Sequence, residues 1–268
     1  MPVVSINQLS GGLGRVAPSE DGVIGFVAHG VATAEYVLGT VAKIYSIKGA
    51  ENLLITEAYD TTNEVLVHYH LKEIFRINPN AEVHFMLVPQ ATTLANILST
   101  SQLFAQKLLQ DGDGRIKGLG IAINTTSPTA FSVVAAAIPG AQTLADSEYA
   151  AHRPVDIFIE GKNLPAIGSA PDLTTLASKD VAIVVGQDGA KAEEDAAFAG
   201  MANIGTLLGC YSKMRVHESV AWVQKNNIAS IPFEVFLEPR LSNDTAMTAY
   251  DESELSTLND KGYIFGRT

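Results

Sequence analysis

Five short apolar runs, at residues 23–27, 83–88, 119–123, 155–159 and 181–185, alternate with stretches whose apolar spacing is helical. Runs of this kind, with little polar alternation, belong to strands covered on both faces. Strands separated by helices need crossover connections, and these favour parallel neighbours. The expected fold class is therefore α/β, a mostly parallel central sheet flanked by helices. A chain of 268 residues, 47% of them hydrophobic, is long enough to bury such a sheet.

The clearest helix is expected over residues 62–77. Thr61 and Glu64 have the spacing of a capping box, Val67, Leu71, Ile74 and Phe75 share a face, and Asn78-Pro79-Asn80 ends it. Further helices are expected over 94–109, 141–151 and 193–209, with a short one over 173–177, and residues 34–45 form another periodic stretch. In the 193–209 segment, Glu193, Glu194 and Asp195 suit a first turn, and Phe198, Met201, Ala202, Gly205 and Leu208 lie along one face. The small residues Ala202, Gly205 and Gly209 would allow close backbone approach. Beyond Trp222 a strand is expected at 231–237, then a polar segment capped by Asp251 and Glu254, then a terminal strand at 262–268.

At the other end, Val3, Val4, Ser5 and Ile6 are cut off from the first core strand by a stretch rich in Gly, Pro and Ser. They read as an extended arm whose strand needs a partner edge outside its own sheet. Gly11, Gly12 and Gly14 then serve as its hinge, so residues 1–21 form arm and hinge and residues 22–268 the α/β core.

Charge and composition exclude several functions. Eighteen Lys and Arg against 29 Asp and Glu give a net charge of −11, which opposes a grip on phosphates, so no nucleic-acid partner is expected. One cysteine, Cys210, permits neither an internal disulfide nor a thiolate zinc cluster. Residues 1–6 lack a basic leader segment, which points to cytoplasmic synthesis. The longest uncharged stretch, 118–145, contains Asn124, Thr125, Thr126, Ser127, Pro128 and Pro139, so it reads as buried strand and turn rather than a membrane span.

Candidate chemistry is sparse. The glycines at 11, 12 and 14 are followed by no Gly-Lys-Ser/Thr, and the stretch from Asp111 to Arg115 has Ala122 where a calcium loop needs Glu. His68 and His70, two apart on a helix, point about 200° apart, one buried and the other exposed, and cannot share a metal. His84 sits in a strand, and His29, His152 and His217 have no local partner pattern. Gly168-Ser169-Ala170-Pro171 lacks the second glycine of a nucleophile elbow, and Cys210 ends an apolar helix as an inert thiol. Asp156 and Glu160 read either as a carboxylate pair or as solvent-side positions of one strand. No catalytic, cofactor or metal residues are expected. The rival reading, an enzyme with its site at the C-terminal edge of the sheet, would place that site at Gly186-Gln187-Asp188-Gly189.

Several features in order resemble the contractile tail sheath proteins of phages and related injection machines, in particular a divergent sheath-like group of gut bacteria and prophages. They are the arm and hinge, then Gly22-Val-Ile-Gly-Phe-Val-Ala28 as first core strand, and the helix at 61–77 leading into the strand at 82–88. Later come Gly200-Met-Ala-Asn-Ile-Gly-Thr-Leu-Leu-Gly209 with Ser219-Val-Ala-Trp222, and finally Tyr263 and Phe265-Gly-Arg-Thr268. The resemblance implies a structural subunit, not an enzyme, that polymerises with itself into rings or a helical tube. It implies a tail tube protein and baseplate or terminator proteins as further partners, in a particle assembled in the bacterial cytoplasm. A terminator or adaptor of the same particle is the neighbouring alternative. The resemblance also implies a C-terminal region beyond the Gly-Arg-Thr element, expected to be missing from this chain.

Overall fold

The computed structural model describes residues 22–124, 130–214 and 239–266. The arm at Val3, Val4, Ser5 and Ile6, the hinge at Gly11, Gly12 and Gly14, the strand expected at 231–237, Trp222, His217, Arg267 and Thr268 lie outside the described residues.

From Gly22 onward the chain alternates as its apolar runs require. Strand β1 (Val23–Gly30) is buried at all eight positions and is followed by the edge strand β2 (Ala42–Ile44). Helices α1 (Ile47–Asn52), α2 (Glu57–Asn63) and α3 (Val67–Ile77) lead to β3 (Glu82–Pro89). Helices α4 (Leu94–Ile97) and α5 (Phe104–Asp111) precede β4 (Gly118–Ala122), and α6 (Phe131–Ala150) precedes β5 (Asp156–Glu160). Next come β6 (Val181–Val184), β7 (Gly186–Asp188), α7 (Gly189–Glu194) and α8 (Ile204–Lys213). Then follow β8 (Pro239–Leu241), β9 (Thr245–Ala246), α9 (Glu252–Asp260) and β10 (Tyr263–Ile264).

Among the described residues the main sheet runs β10-β6-β5-β4-β1-β3-β2, and only β2 is antiparallel to its neighbour. The fold is thus α/β with a mostly parallel sheet covered on both faces. One face buries Leu108, Leu119, Ile121, Val134, Leu144 and Ile157 under α4, α5 and α6, and the other buries Phe26, Phe85, Leu71, Ile74 and Leu208 under α3 and α8. A second sheet, β7-β8-β9, is antiparallel.

Several helices differ from the sequence expectation, each for an identifiable reason. The helix expected from residue 62 breaks in two: Glu64 adopts a left-handed conformation (φ 53°) and ends α2, so Thr61 and Glu64 form no capping box. The cap of α3 comes from further back, where the Asp60 carboxylate accepts from the backbone N–H of His68 and of Tyr69, each at 2.9 Å. The expected face of Val67, Leu71, Ile74 and Phe75 is buried, and Asn78 ends the helix. Residues 94–109 split into α4 and α5 around Gln102 (φ 58°), and 193–209 split around Gly200 (φ 80°). Residues 34–45 are irregular until β2, whereas α6 starts ten residues earlier than expected and carries Pro139 inside it. The capping box at Asp251 and Glu254 is formed.

Close approach is realised at two of the three small residues. A Cβ added to Gly205 would lie 2.5 Å from the His70 carbonyl oxygen, and one added to Gly209 would lie 2.9 Å from Ile77 Cβ. These glycines let α8 lie directly on α3.

Candidate functional site

Numbered along the chain, the parallel strands take the order 2-1-3-4-5-6, with the direction of winding reversing between β1 and β4. In open α/β sheets a ligand crevice forms at the carboxyl ends of the strands where the order reverses. The strand ends here are polar: His29 in β1, Asn124 after β4, and Glu160 and Lys162 at and after β5.

These groups bind each other and the backbone. His29 is buried; its Nε2 is 2.8 Å from the Thr92 carbonyl, and its Nδ1 accepts from Asn124 N at 3.0 Å. Nε2 therefore carries the proton in a neutral ring. Burial pulls the pKa of His29 down, against the hydrogen bond to Thr92, and the Lys162 charge lowers it further. Asn124 donates its side-chain N–H to the Glu64 carbonyl and accepts from Lys162 Nζ at 3.0 Å. Glu160 is fully buried and accepts from Ile123 N at 2.6 Å and Ala202 N at 3.0 Å. Burial pushes its carboxyl up to about 7, with Lys162 and the two N–H donors opposing. Burial also lowers Lys162, with Glu160 and Glu64 opposing.

Over the ends of β5 and β6 lies the small sheet. Ser242 donates its side-chain hydroxyl to the Gly161 carbonyl and its backbone N–H to Val185 O (2.9 Å), and Asn203 N donates to Gly186 O at 2.7 Å. The segment Gly186-Gln187-Asp188-Gly189, the rival enzyme reading's site, is β7 and the start of α7, with Asp188 capping that helix through Ala190 N. Both His29 nitrogens and both Glu160 oxygens are thus committed to the chain's own groups. A general base must reach a substrate proton, and both residues are only 1% exposed.

Elsewhere the structure sorts the sequence candidates. His68 and His70 are both buried, correcting the expectation that one would be exposed. His70 packs edge-on against Phe26 at 5.8 Å beneath α8, where burial lowers its pKa to about 3, and His68 Nε2 lies 3.6 Å from Glu51. His84 is held between Asp111 (3.1 Å) and Glu82 (3.0 Å), and Glu82 in turn pairs with Arg115. The Asp111 to Arg115 stretch is a tight turn with Asp113 and Gly114 at positive φ. Burial raises the Cys210 thiol to about 11. Asp156 and Glu160 share a strand face but serve separate partners, and Glu160, 1% exposed, is no solvent-side residue. Among the described residues no three His, Cys, Asp or Glu gather as a metal site. None of the described helices is long and apolar enough to cross a membrane. Sequence reasoning passed over Asn124 and Lys162; the signal was there in polar residues that directly follow the apolar runs of β4 and β5.

The geometry defines a doubly wound α/β domain whose described switch point is filled by its own hydrogen bonds. The chain belongs to the family described as DUF2586, N-terminal domain, which matches residues 1–268. No curated protein matches it. Among solved structures it is similar to the helical sheath of the anti-feeding prophage in the contracted state, at 15% identity and a TM-score of 0.47, over 81% of this chain and 53% of that one. The chain thus spans about half the length of that sheath chain.

Proposed function

We propose that this chain is a structural subunit of a contractile tail sheath or related injection particle, polymerising with itself around a tail tube. The observation that carries this reading is the ordered set of sheath-like segments in the sequence, running from the arm through the first core strand to the small-residue helix. Two of those segments have physical roles that suit it: the 22–28 segment supplies a central, fully buried strand, and the small-residue segment supplies the helix pressed onto α3. At the switch point His29 and Glu160 are buried and hydrogen-bonded within the chain, so the rival enzyme reading gains no support there.

In this reading residues 1–21 are the arm, and Val3, Val4, Ser5 and Ile6 add as a strand to a neighbour's sheet edge by main-chain hydrogen bonds. Such a contact is heterologous, so repetition builds rings or a helical tube. Gly11, Gly12 and Gly14 let subunits turn against each other during contraction as rigid bodies. Tail tube, baseplate and terminator proteins are the further partners.

The test is negative-stain electron microscopy of the purified full chain beside a variant lacking residues 1–21. Tubes or stacked rings from the full chain, lost in the truncation with the far-UV circular dichroism retained, are the expected result. Tubes from both refute the role of the arm, and uniform small particles from the full chain at high concentration refute the assembly reading.

A further inference from the structure

At the end of the sheet opposite the switch point, an open cleft of about 180 Å³ is walled by Tyr149, Pro154, Val155 and Tyr211, with Asp156 and Asp180 among its lining. Tyr211 is fixed from two sides. Its ring lies against Gly118, where an added Cβ would meet it at 2.6 Å, and its hydroxyl donates to Asp156 Oδ2 at 2.7 Å. Asp180 is aimed by Gln142, whose Nε2 donates to it at 2.8 Å and whose Oε1 accepts from the backbone N–H of Lys179 and Asp180.

Of the two cations nearby, Lys117 turns out of the cleft, and Lys179 is an exposed side chain paired with Asp180 at the rim, which an incoming cation would displace. Lys117 turns its Nζ to the Gly114 carbonyl at 2.8 Å, so only its stem lines the cleft. Lys179 Nζ stands over the Tyr149 ring, 5.4 Å from its centroid, and 3.8 Å from Asp180. Asp156 forms no ion pair among the described residues. Burial raises its carboxyl, Tyr211 opposes that, and the charge of Asp180 raises it further. A half-buried carboxylate with no counter-ion, set between aromatic rings and aliphatic walls, is complementary to a cation on an apolar stem.

We propose that this cleft receives an arginine side chain from a neighbouring protein subunit, its guanidinium between Asp156 and Asp180 and its stem along Tyr149 and Val155. Arginine fits better than lysine because its planar fork reaches two carboxylates at once and stacks on a ring. The neighbouring subunit as source rests on the assembly reading; the chemistry of the cleft does not.

The experiment therefore uses dilute full-length protein and reads binding without assembly. Arginine amide is titrated and followed by NMR, with citrulline amide as the uncharged isostere. The wild type is expected to show saturable shifts at Tyr149, Asp156 and Tyr211, with citrulline amide at least about tenfold weaker. Asp156→Asn, which keeps an acceptor for Tyr211, and Tyr149→Ser, at an exposed position, are each expected to weaken arginine amide by about tenfold or more with an unchanged melting temperature or a higher one. No saturable shifts in the wild type, equal binding of citrulline amide, or undiminished binding by Asp156→Asn overturns the proposal. Loss of tubes alone bears on the assembly reading and leaves the cleft standing.

Discussion

Replacing Gly205 by alanine should destabilise the protein, although alanine is the better helix former by about 1 kcal/mol. A Cβ at this position would lie 2.5 Å from the His70 carbonyl oxygen and 2.6 Å from His70 Cα. Those atoms are backbone within α3, so no rotamer change relieves the overlap, and α8 must lift by about 1 Å to restore ordinary contact. Overpacking of this kind costs about 1–3 kcal/mol, and separating the helices also loosens Leu71, Ile74 and Leu208 between them and the sheet. The loosened packing puts the cost at the upper end, about 2–3 kcal/mol, so net of the gain in propensity the loss should be about 1–2 kcal/mol. The same substitution at Gly140, exposed on α6 with nothing within 4 Å of an added Cβ, should stabilise by about 0.5–1 kcal/mol. Urea unfolding followed by circular dichroism on the two variants reads both signs as shifts in midpoint. A Gly205→Ala midpoint at or above wild type would refute the reasoning, as would a fall at Gly140→Ala of similar size.

Three further outcomes are expected. The Glu160 carboxyl is raised to about 7, so the native chain keeps a proton that the unfolded chain releases near its ordinary value; this stability is full below about 4.5 and lost as pH rises through about 7. The stability difference between wild type and Glu160→Gln should therefore shift by about 3 kcal/mol between those limits, against wild type at the higher pH, and a pH-independent difference would contradict it. Asp60→Ala leaves the N–H groups of His68 and Tyr69 without their acceptor and should lower stability by about 2 kcal/mol, read by thermal melting, with an unchanged melting temperature as the contrary result. Cys210, raised to about 11 by burial, should alkylate with iodoacetamide at pH 8 at least about tenfold more slowly in the native protein than in urea; equal rates would show an exposed thiolate.

How far the sequence revealed this molecule follows from where each constraint originates. The strands at 23–27, 83–88, 119–123, 155–159 and 181–185 were legible because a parallel strand covered on both faces must be apolar along its length. The break between α2 and α3 was not, because the cap of α3 is the side chain of Asp60, eight and nine residues before its partners and outside the local capping pattern. Nor could spacing show that 193–209 would break near Gly200, where the chain turns to place Phe198 and Met201 against Leu66. Gly205 and Gly209 were legible as contact points because lack of a side chain at helical spacing has few other uses. The switch-point network was illegible as a whole: His29, Asn124, Glu160 and Lys162 meet only once the strand order is known.

The edges of the main sheet bear on how copies of this chain would hold together under the proposed assembly. Among the described residues, β2 at one margin has three residues and β10 at the other has two. A strand laid along either margin gains two or three main-chain hydrogen bonds, about 2–3 kcal/mol in all. A single contact that weak corresponds to dissociation in the range of about ten millimolar. A lattice built through these edges would therefore last only by closing many weak contacts at once, and a subunit added out of register would leave before its neighbours could trap it.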